Sequence, residues 1–344
     1  MSTFGLVFSD LQAGEGAERL RANPAIPLQR WRVERCYADL AHLMRQHKCK
    51  YLIDLGDTTD DRYAIPVPTL EVVMRGLDMC RPKPLLSFKL IGNHEQALKA
   101  NHLHPGGVYK AHHRVVSGHE VVLRGDLAII AVAWPNEGPP ISAWINDRLR
   151  DLKDRGFRTL LLGHLQVTGA KAHGTELPGE HNIDPSLVDL ALLGHVHASQ
   201  STHENIHYIG SPFQQDYGEG GQSKRVGLID FDTLDFQWLS LPSAYPRYLH
   251  LDFREFAAQK SLGEDRVQVT LRTPIEADAF HQHPLASQVT PVYALTVSQA
   301  TVTEKAEDTP ITPEDLLRLY VQRNPLHGVD EEAILAAGYV LMGV

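Results

Sequence analysis

Cysteine is scarce: three among 344 residues, Cys36, Cys49 and Cys80, with no CxxC spacing. An odd set without paired spacing argues against a disulfide framework and for a reducing compartment. Long apolar runs are missing too. None approaches the roughly 18 residues of a transmembrane helix, and no basic stretch followed by an apolar one opens the chain, so neither a membrane span nor a signal peptide is expected. Positive charge is in deficit, with Lys+Arg 33 against Asp+Glu 42 and a net charge of −9. That excludes a passive, sequence-independent grip on nucleic acid, which needs many Lys/Arg–phosphate contacts. It leaves open a nucleic-acid enzyme whose metal ions or partner supply the positive charge. Internal repeats and low-complexity tracts are absent.

What is present is an ordinary globular composition, 43% hydrophobic and 22% charged, long enough for about two domains. Phe4–Ser9 reads as a strand ending in Asp10-Leu11-Gln12. Val33, Cys36, Leu40, Leu43 and Met44 recur at helical spacing between Leu28 and His47. Tyr51–Leu55 is a second strand, ending in Gly56-Asp57, and Pro66 and Pro68 open a helix with Leu70, Val73, Met74 and Leu77 on one face. A third strand runs into Leu90-Ile91-Gly92-Asn93-His94-Glu95, where a glycine that tolerates positive φ allows a sharp turn. This β-α-β-α-β order marks a layered α/β domain.

Val121–Leu123 and Leu127–Ala133 read as a hairpin about Arg124-Gly125-Asp126, followed by an amphipathic segment from Ile141 to Arg155. Leu160–Leu162 ends in Gly163-His164, and Leu190–Leu193 ends in Gly194-His195-Val196-His197. Further strands are expected at His207–Ile209, Val226–Phe231 and Phe236–Leu241. After Pro242 the character shifts, with strand-like alternation at Val267–Leu271 and Val292–Val302. The expected organisation is a main domain over 1–244, a small domain over 245–305, and a linker with two short helices over 306–344. Thr312-Pro313-Glu314-Asp315 reads as a capped helix start, and Asp330 caps the second helix.

Five strand ends thus carry polar residues: Asp10 with Gln12, Asp57, Asn93 with His94, His164, and His195 with His197. A parallel-rich sheet gathers the carboxyl ends of its strands along one rim. Oxygen and imidazole donors of this kind suit divalent ions of the Mn/Fe/Zn type. They are too many for one ion and suit two, about 3.5–4 Å apart with a shared carboxylate.

The ordered set resembles the calcineurin-like metallophosphoesterase superfamily, whose signature runs D-x-H, G-D, G-N-H-D/E, G-H and G-H-x-H. The resemblance implies a four-layer α/β/β/α sandwich with a small α+β capping domain and a C-terminal helical hairpin. It implies that Asp57 bridges two metals, that Asp10, Gln12 and His197 serve the first, and that Asn93, His164 and His195 serve the second. His94 would be the catalytic general acid, with Glu95 either orienting it or exposed. Mn²⁺ is the expected ion, with Mg²⁺ the alternative. The chain departs from the pattern at Gln12, where the superfamily has histidine.

His207-Tyr208-Ile209-Gly210-Ser211-Pro212-Phe213 and Lys224-Arg225-Val226-Gly227 narrow the resemblance to SbcD-type nucleases of double-strand-break processing. Gly56-Asp57-Thr58-Thr59-Asp60 is similar to bacteriophage recombination nuclease subunits, in which Asp60 stands where cellular members commonly carry histidine. Implied are DNA as substrate, an SbcC-type coiled-coil ATPase as partner, a homodimer within a heterotetramer, and a cytoplasmic setting, the host's if phage-encoded. The capping domain would help hold DNA, and the terminal helices would dock the ATPase. A stand-alone small-molecule phosphodiesterase or phosphatase stays open, as does a scaffold subunit whose metal site is degraded at Gln12.

Two other signals lead elsewhere. Gly218–Lys224 has the glycines of a phosphate loop without its spacing. Lys110, His112, His113 and Arg114 read as a solvated basic face.

Overall fold

The structure is a computed structural model that describes residues 3–97, 104–135, 141–172 and 174–294. Contacts divide the chain into a compact unit over 1–294 and a second over 295–344, which lies wholly outside the described residues together with the expected linker and terminal helices.

Strands β1 (Phe4–Phe8), β2 (Tyr51–Asp54), β3 (Phe88–Leu90) and β4 (Arg114–Val116) pair in parallel in chain order. A second sheet follows, built from β5 (His119–Arg124), β6 (Leu127–Val132), β7 (Arg158–His164), β10 (Leu190–Gly194), β11 (Gln200–His203) and β12 (Ile206–Tyr208). The short pair β8 (Lys171–Ala172) and β9 (Thr175–Glu176) stands apart as a ribbon. In the second sheet β6, β7, β10 and β12 run parallel, with β5 and β11 antiparallel at its edges. The chain then returns to the first sheet through β13 (Val226–Asp230), antiparallel to β1, and β14 (Phe236–Leu239), giving six strands in each sheet.

The two sheets face each other. Val7, Ile53, Phe88 and Leu90 of the first meet Ile129, Leu160, Leu162 and Leu192 of the second in one core. The alternate residues Leu6, Phe8 and Leu52 pack on helices α1 (Leu28–Gln46) and α2 (Val67–Cys80). Ile130, Leu161 and Leu193 pack on α3 (Ser142–Asp154). The result is a four-layer α/β/β/α sandwich. Central strands covered on both faces need apolar residues at every position, which is why Leu160–Leu162 and Leu190–Leu193 run unbroken instead of alternating.

Beyond β14 lies a three-stranded parallel sheet of β15 (Tyr248–Asp252), β16 (Arg266–Leu271) and β17 (Thr290–Tyr293). Helices α4 (Phe253–Ala257) and α5 (Pro274–Gln282) cover it, and Phe256, Val267, Val269, Leu271 and Phe280 form its own core. Both helices start at complete capping boxes, Asp252 with Glu255 and Thr273 with Glu276.

Three sequence expectations change. The strand expected at Val292–Val302 starts earlier, at Thr290, and is described only to Tyr293; the remainder of the expected span from 295 lies outside the described residues. Tyr248–Asp252 is a strand that the reading missed, because five residues behind a proline-rich turn give too little period. The basic run at 110–114 is a solvated face only in part: Lys110 and Arg114 are exposed, Arg114 pairing with Glu120, while His112 bonds Asp78 and burial pushes His113 down to about 3, so it is neutral. Among the described residues, no helix is long and apolar enough to cross a membrane.

Candidate metal centre

The carboxyl ends of β1, β2, β3, β7 and β10 open on one place. The turns that follow put Asp10 (φ 53), Gln12 (φ 52), Asp57 (φ 53) and His195 (φ 89) in the left-handed region, unusual for side chains with a Cβ. Each such residue costs about 1–3 kcal/mol and persists only where its surroundings fix it. Here the first two turns brace each other: Asp10 N–H donates to Gly56 O at 2.9 Å and Gln12 N–H to Asp57 O at 2.9 Å. The amide of His195 donates to both carboxylate oxygens of Asp10, each at 3.1 Å.

Glycine at position 92 serves a purpose other than the expected positive φ. Its φ is −90, ordinary extended backbone. A Cβ there would lie 2.0 Å from Asp57 Oδ1 and 2.6 Å from Asp57 N, so Gly92 makes room for the carboxylate. Gly194 plays a similar part, since a Cβ would meet Ser9 Oγ at 2.2 Å.

The side chains converge around Asp57. Ligand atoms of Asp10, Asp57 and His164, all buried, lie within 4.8 Å of one another. His164 Nε2 is 3.3 Å from Asp57 Oδ2 and 3.0 Å from Asn93 Oδ1, while its Nδ1–H donates to Leu55 O at 2.8 Å. Asn93 Oδ1 also lies 3.0 Å from His195 Nδ1. His197 Nε2 stands 4.0 Å from Asp10 Oδ1, and its Nδ1 meets Glu219 Oε1 at 2.6 Å. Gln12 Nε2 donates to Asp57 Oδ2 at 3.4 Å.

The ionisable groups of the cluster shift one another strongly. Burial works against ionising Asp57, yet His164 and His94 beside it hold it well below the usual carboxylate range. Burial likewise opposes charge on His164, but Asp57 and Asp10 outweigh it and lift it to about 9. Burial and the neighbouring His164 push His195 down to about 3. Two fully buried carboxylates, Asp10 and Asp57, thus stand among imidazoles at a place where a divalent ion would add positive charge. The donor set fits such an ion: carboxylates, an amide oxygen, and imidazoles whose second nitrogen is tied to a carbonyl or carboxylate.

The His94 side chain stands at the rim, 35% exposed, and the backbone N–H of His94 donates to Asp57 Oδ1 at 2.9 Å. Neither expectation for Glu95 holds. Glu95 is fully buried and does not touch the His94 ring; its Oε2 accepts from Gly92 N, Asp57 N and Lys89 Nζ. The residue that meets His94 is Asp60, at 2.9 Å from Nδ1, and this bond raises the imidazole above its ordinary value against the effect of burial. Also missed were Gln166, 3.2 Å from His195 Nε2, and Trp134, whose ring lies 4.5 Å from that of His195. Glu219 and Lys224, buried and 2.6 Å apart, belong to the glycine-bearing loop that lacks phosphate-loop spacing.

No family model matches the sequence, and no curated protein matches it. Solved structures do. A dimetal phosphatase from Danio rerio is similar with a TM-score of 0.44 and 14% identity, over 70% of this chain and 99% of that one. A calcineurin-like phosphoesterase from Bacillus subtilis has a TM-score of 0.34 and 16% identity, over 67% of this chain and 84% of that one. A 5′-nucleotidase precursor from Thermus thermophilus has a TM-score of 0.38 and 16% identity, over 72% of this chain and 56% of that one.

Proposed function

We propose that the chain is a divalent-metal-dependent phosphodiesterase acting on DNA, the nuclease subunit of an SbcCD-like recombination complex. The observation that carries the hydrolytic reading is the meeting of five strand ends: Asp10, Asp57 and His164 form a buried cluster, with the half-buried Asn93 and His195 against it. Asp57 would be shared between two ions, with Asp10, Gln12 and His197 on one side and Asn93, His164 and His195 on the other. Two divalent ions, Mn²⁺ or Mg²⁺, would neutralise the phosphodiester, acidify a water and clamp the in-line transition state.

The chain's own groups do the rest. Asp60 engages Nδ1 of His94 and so leaves Nε2 to face the departing sugar oxygen and donate a proton to it. Trp134 packs tilted against the ring of His195, with centroids 4.5 Å apart. DNA as substrate is supported by the sequence resemblance at 207–213 and 224–227 and by the small sheet beside the centre. Residues 311–344 are assigned to docking the ATPase; truncation after Lys305 should leave a folded, metal-binding protein that no longer co-purifies with it.

One observation favours a smaller phosphoester as substrate: the rim carries Asp60 and Glu18 on a chain of net charge −9, which repels a polyanion. A nuclease assay on linear duplex, with Mn²⁺ against Mg²⁺ and with and without the ATPase, separates the two. Cleavage of duplex supports the DNA reading. Hydrolysis of bis(p-nitrophenyl) phosphate with intact duplex under every condition would replace it.

A further inference from the structure

The residues on the Asp10 side of the centre share one set of supports, and those on the His164 side have none of them. Gln215 Nε2 donates to Asp10 O at 3.3 Å and Leu11 O at 3.4 Å. Gln29 Nε2 donates to Gln12 O at 2.8 Å and to Gln215 Oε1 at 3.0 Å. The two amides therefore hold the carbonyls of the turn that keeps Asp10 and Gln12 left-handed. The backbone N–H of Gln215 in turn donates to Glu219 Oε2 at 2.9 Å. Glu219 Oε1 meets His197 Nδ1 at 2.6 Å, and Lys224 Nζ reaches Glu219 Oε2 at 2.6 Å and His197 O at 2.9 Å. By contrast, the ring of His164 is oriented by Leu55 O and that of His195 by Gln166 Oε1, and only the backbone amide of His195 rests on the Asp10 carboxylate.

We infer that Gln29, Gln215, Glu219 and Lys224 form a positioning frame for one of two metal sites, the one holding Asp10, Gln12 and His197, and leave the other untouched. The inference rests on the two-metal reading above. Its chemistry is local. A carboxylate accepting from Nδ1–H fixes the His197 tautomer, aims the Nε2 lone pair at the centre and makes it more basic. This matters most on the side where Gln12 supplies a neutral amide in place of imidazole. Glu219 is a positioning residue: it acts through His197.

The same loop meets the small sheet, where Gln214 Oε1 accepts from Tyr248 N at 2.7 Å and Tyr217 O from His250 Nε2 at 2.9 Å. Glu219 is thus fixed from both sides, and its carboxylate does not have to be ordered when an ion arrives.

The test is calorimetric and paramagnetic-resonance titration of the metal-stripped full chain with Mn²⁺. Glu219→Gln should weaken one of two sites by about 10–100-fold and leave the second unchanged. On a His197→Ala background the same substitution should have no further effect, because the two residues act as one unit. Gln215→Ala, which leaves the buried Glu219–Lys224 pair in place, should give the same selective loss should Glu219→Gln not fold. Equal weakening of both sites, or two unaltered sites, would overturn the inference while the two-metal reading stands. A parent chain that takes up no Mn²⁺ would overturn both.

Discussion

At the scale of single residues, the centre depends on space as much as on donors. Gly92→Ala introduces one methyl group, yet that group would sit 2.0 Å from Asp57 Oδ1. The carboxylate must move, so Gly92→Ala should abolish uptake of both ions, a loss that metal analysis of the purified protein would read directly. Gln12→His tests the position that departs from the superfamily pattern. An imidazole beside Asp57 should shift the Mn²⁺ activation curve to lower concentration; an unchanged curve would show that Gln12 does not face an ion.

Asp60 yields a pH prediction. Its bond to Nδ1 raises His94, so the protonated form that can act as general acid persists to higher pH. Asparagine in its place weakens that hydrogen bond, the largest raising cause, and removes the charge behind it. In Asp60→Asn the alkaline limb of the rate profile should therefore move to lower pH, with the acid limb in place. A profile that keeps its alkaline limb would show that His94 is not the titrating acid. Sequence displayed His94 but not this partner, because the Asp60–His94 bond joins two loops that only the sheet brings together. Position 60 reads in sequence as a subgroup mark; in the structure it is the group that turns the ring.

At the scale of the element, strand β3 carries a charge where its pattern demands an apolar residue. Lys89, between Phe88 and Leu90, is fully buried, 2.8 Å from Glu95 Oε2 and 3.4 Å from Asp54 Oδ1. The triad sits beneath the β2 and β3 turns, and Glu95 holds the amides of Gly92 and Asp57. Burial lifts Asp54 to about 6 even with Lys89 beside it. Lys89→Met would leave two carboxylates buried without their cation, a loss of about 3–5 kcal/mol. Denaturant unfolding should show it as a lower midpoint with the slope retained. Lys89 is the sign of this network in the sequence: a charge inside an otherwise apolar strand needs partners, and Asp54 ends the neighbouring β2 while Glu95 lies in the turn after β3 itself. The strand ends themselves were legible because each is a contiguous string behind an apolar run. Glu219 and Gln215 were not, since their roles depend on a loop that packs back on β1 from more than half the chain away.

At the scale of the whole molecule, the sandwich turns sequence order into a site. Two sheets packed face to face place β1, β2 and β3 of one beside β7 and β10 of the other, so donors from residues 10 to 197 meet. The layers were readable from periodicity, because α1, α2 and α3 each show one apolar face and the buried strands show none. The small parallel sheet was less readable: its first strand is short and its last strand largely exposed.

The central claim, that this meeting point hydrolyses phosphodiesters with bound metal, is tested most directly by turnover of bis(p-nitrophenyl) phosphate. The full chain would be stripped with chelator and refilled with Mn²⁺, alongside Asp57→Asn treated identically. The account predicts no turnover when stripped, turnover on refilling, and at least a hundredfold loss in Asp57→Asn, on the order of what a lost electrostatic stabiliser costs. Turnover that survives chelation, or that Asp57→Asn leaves unchanged, would contradict it.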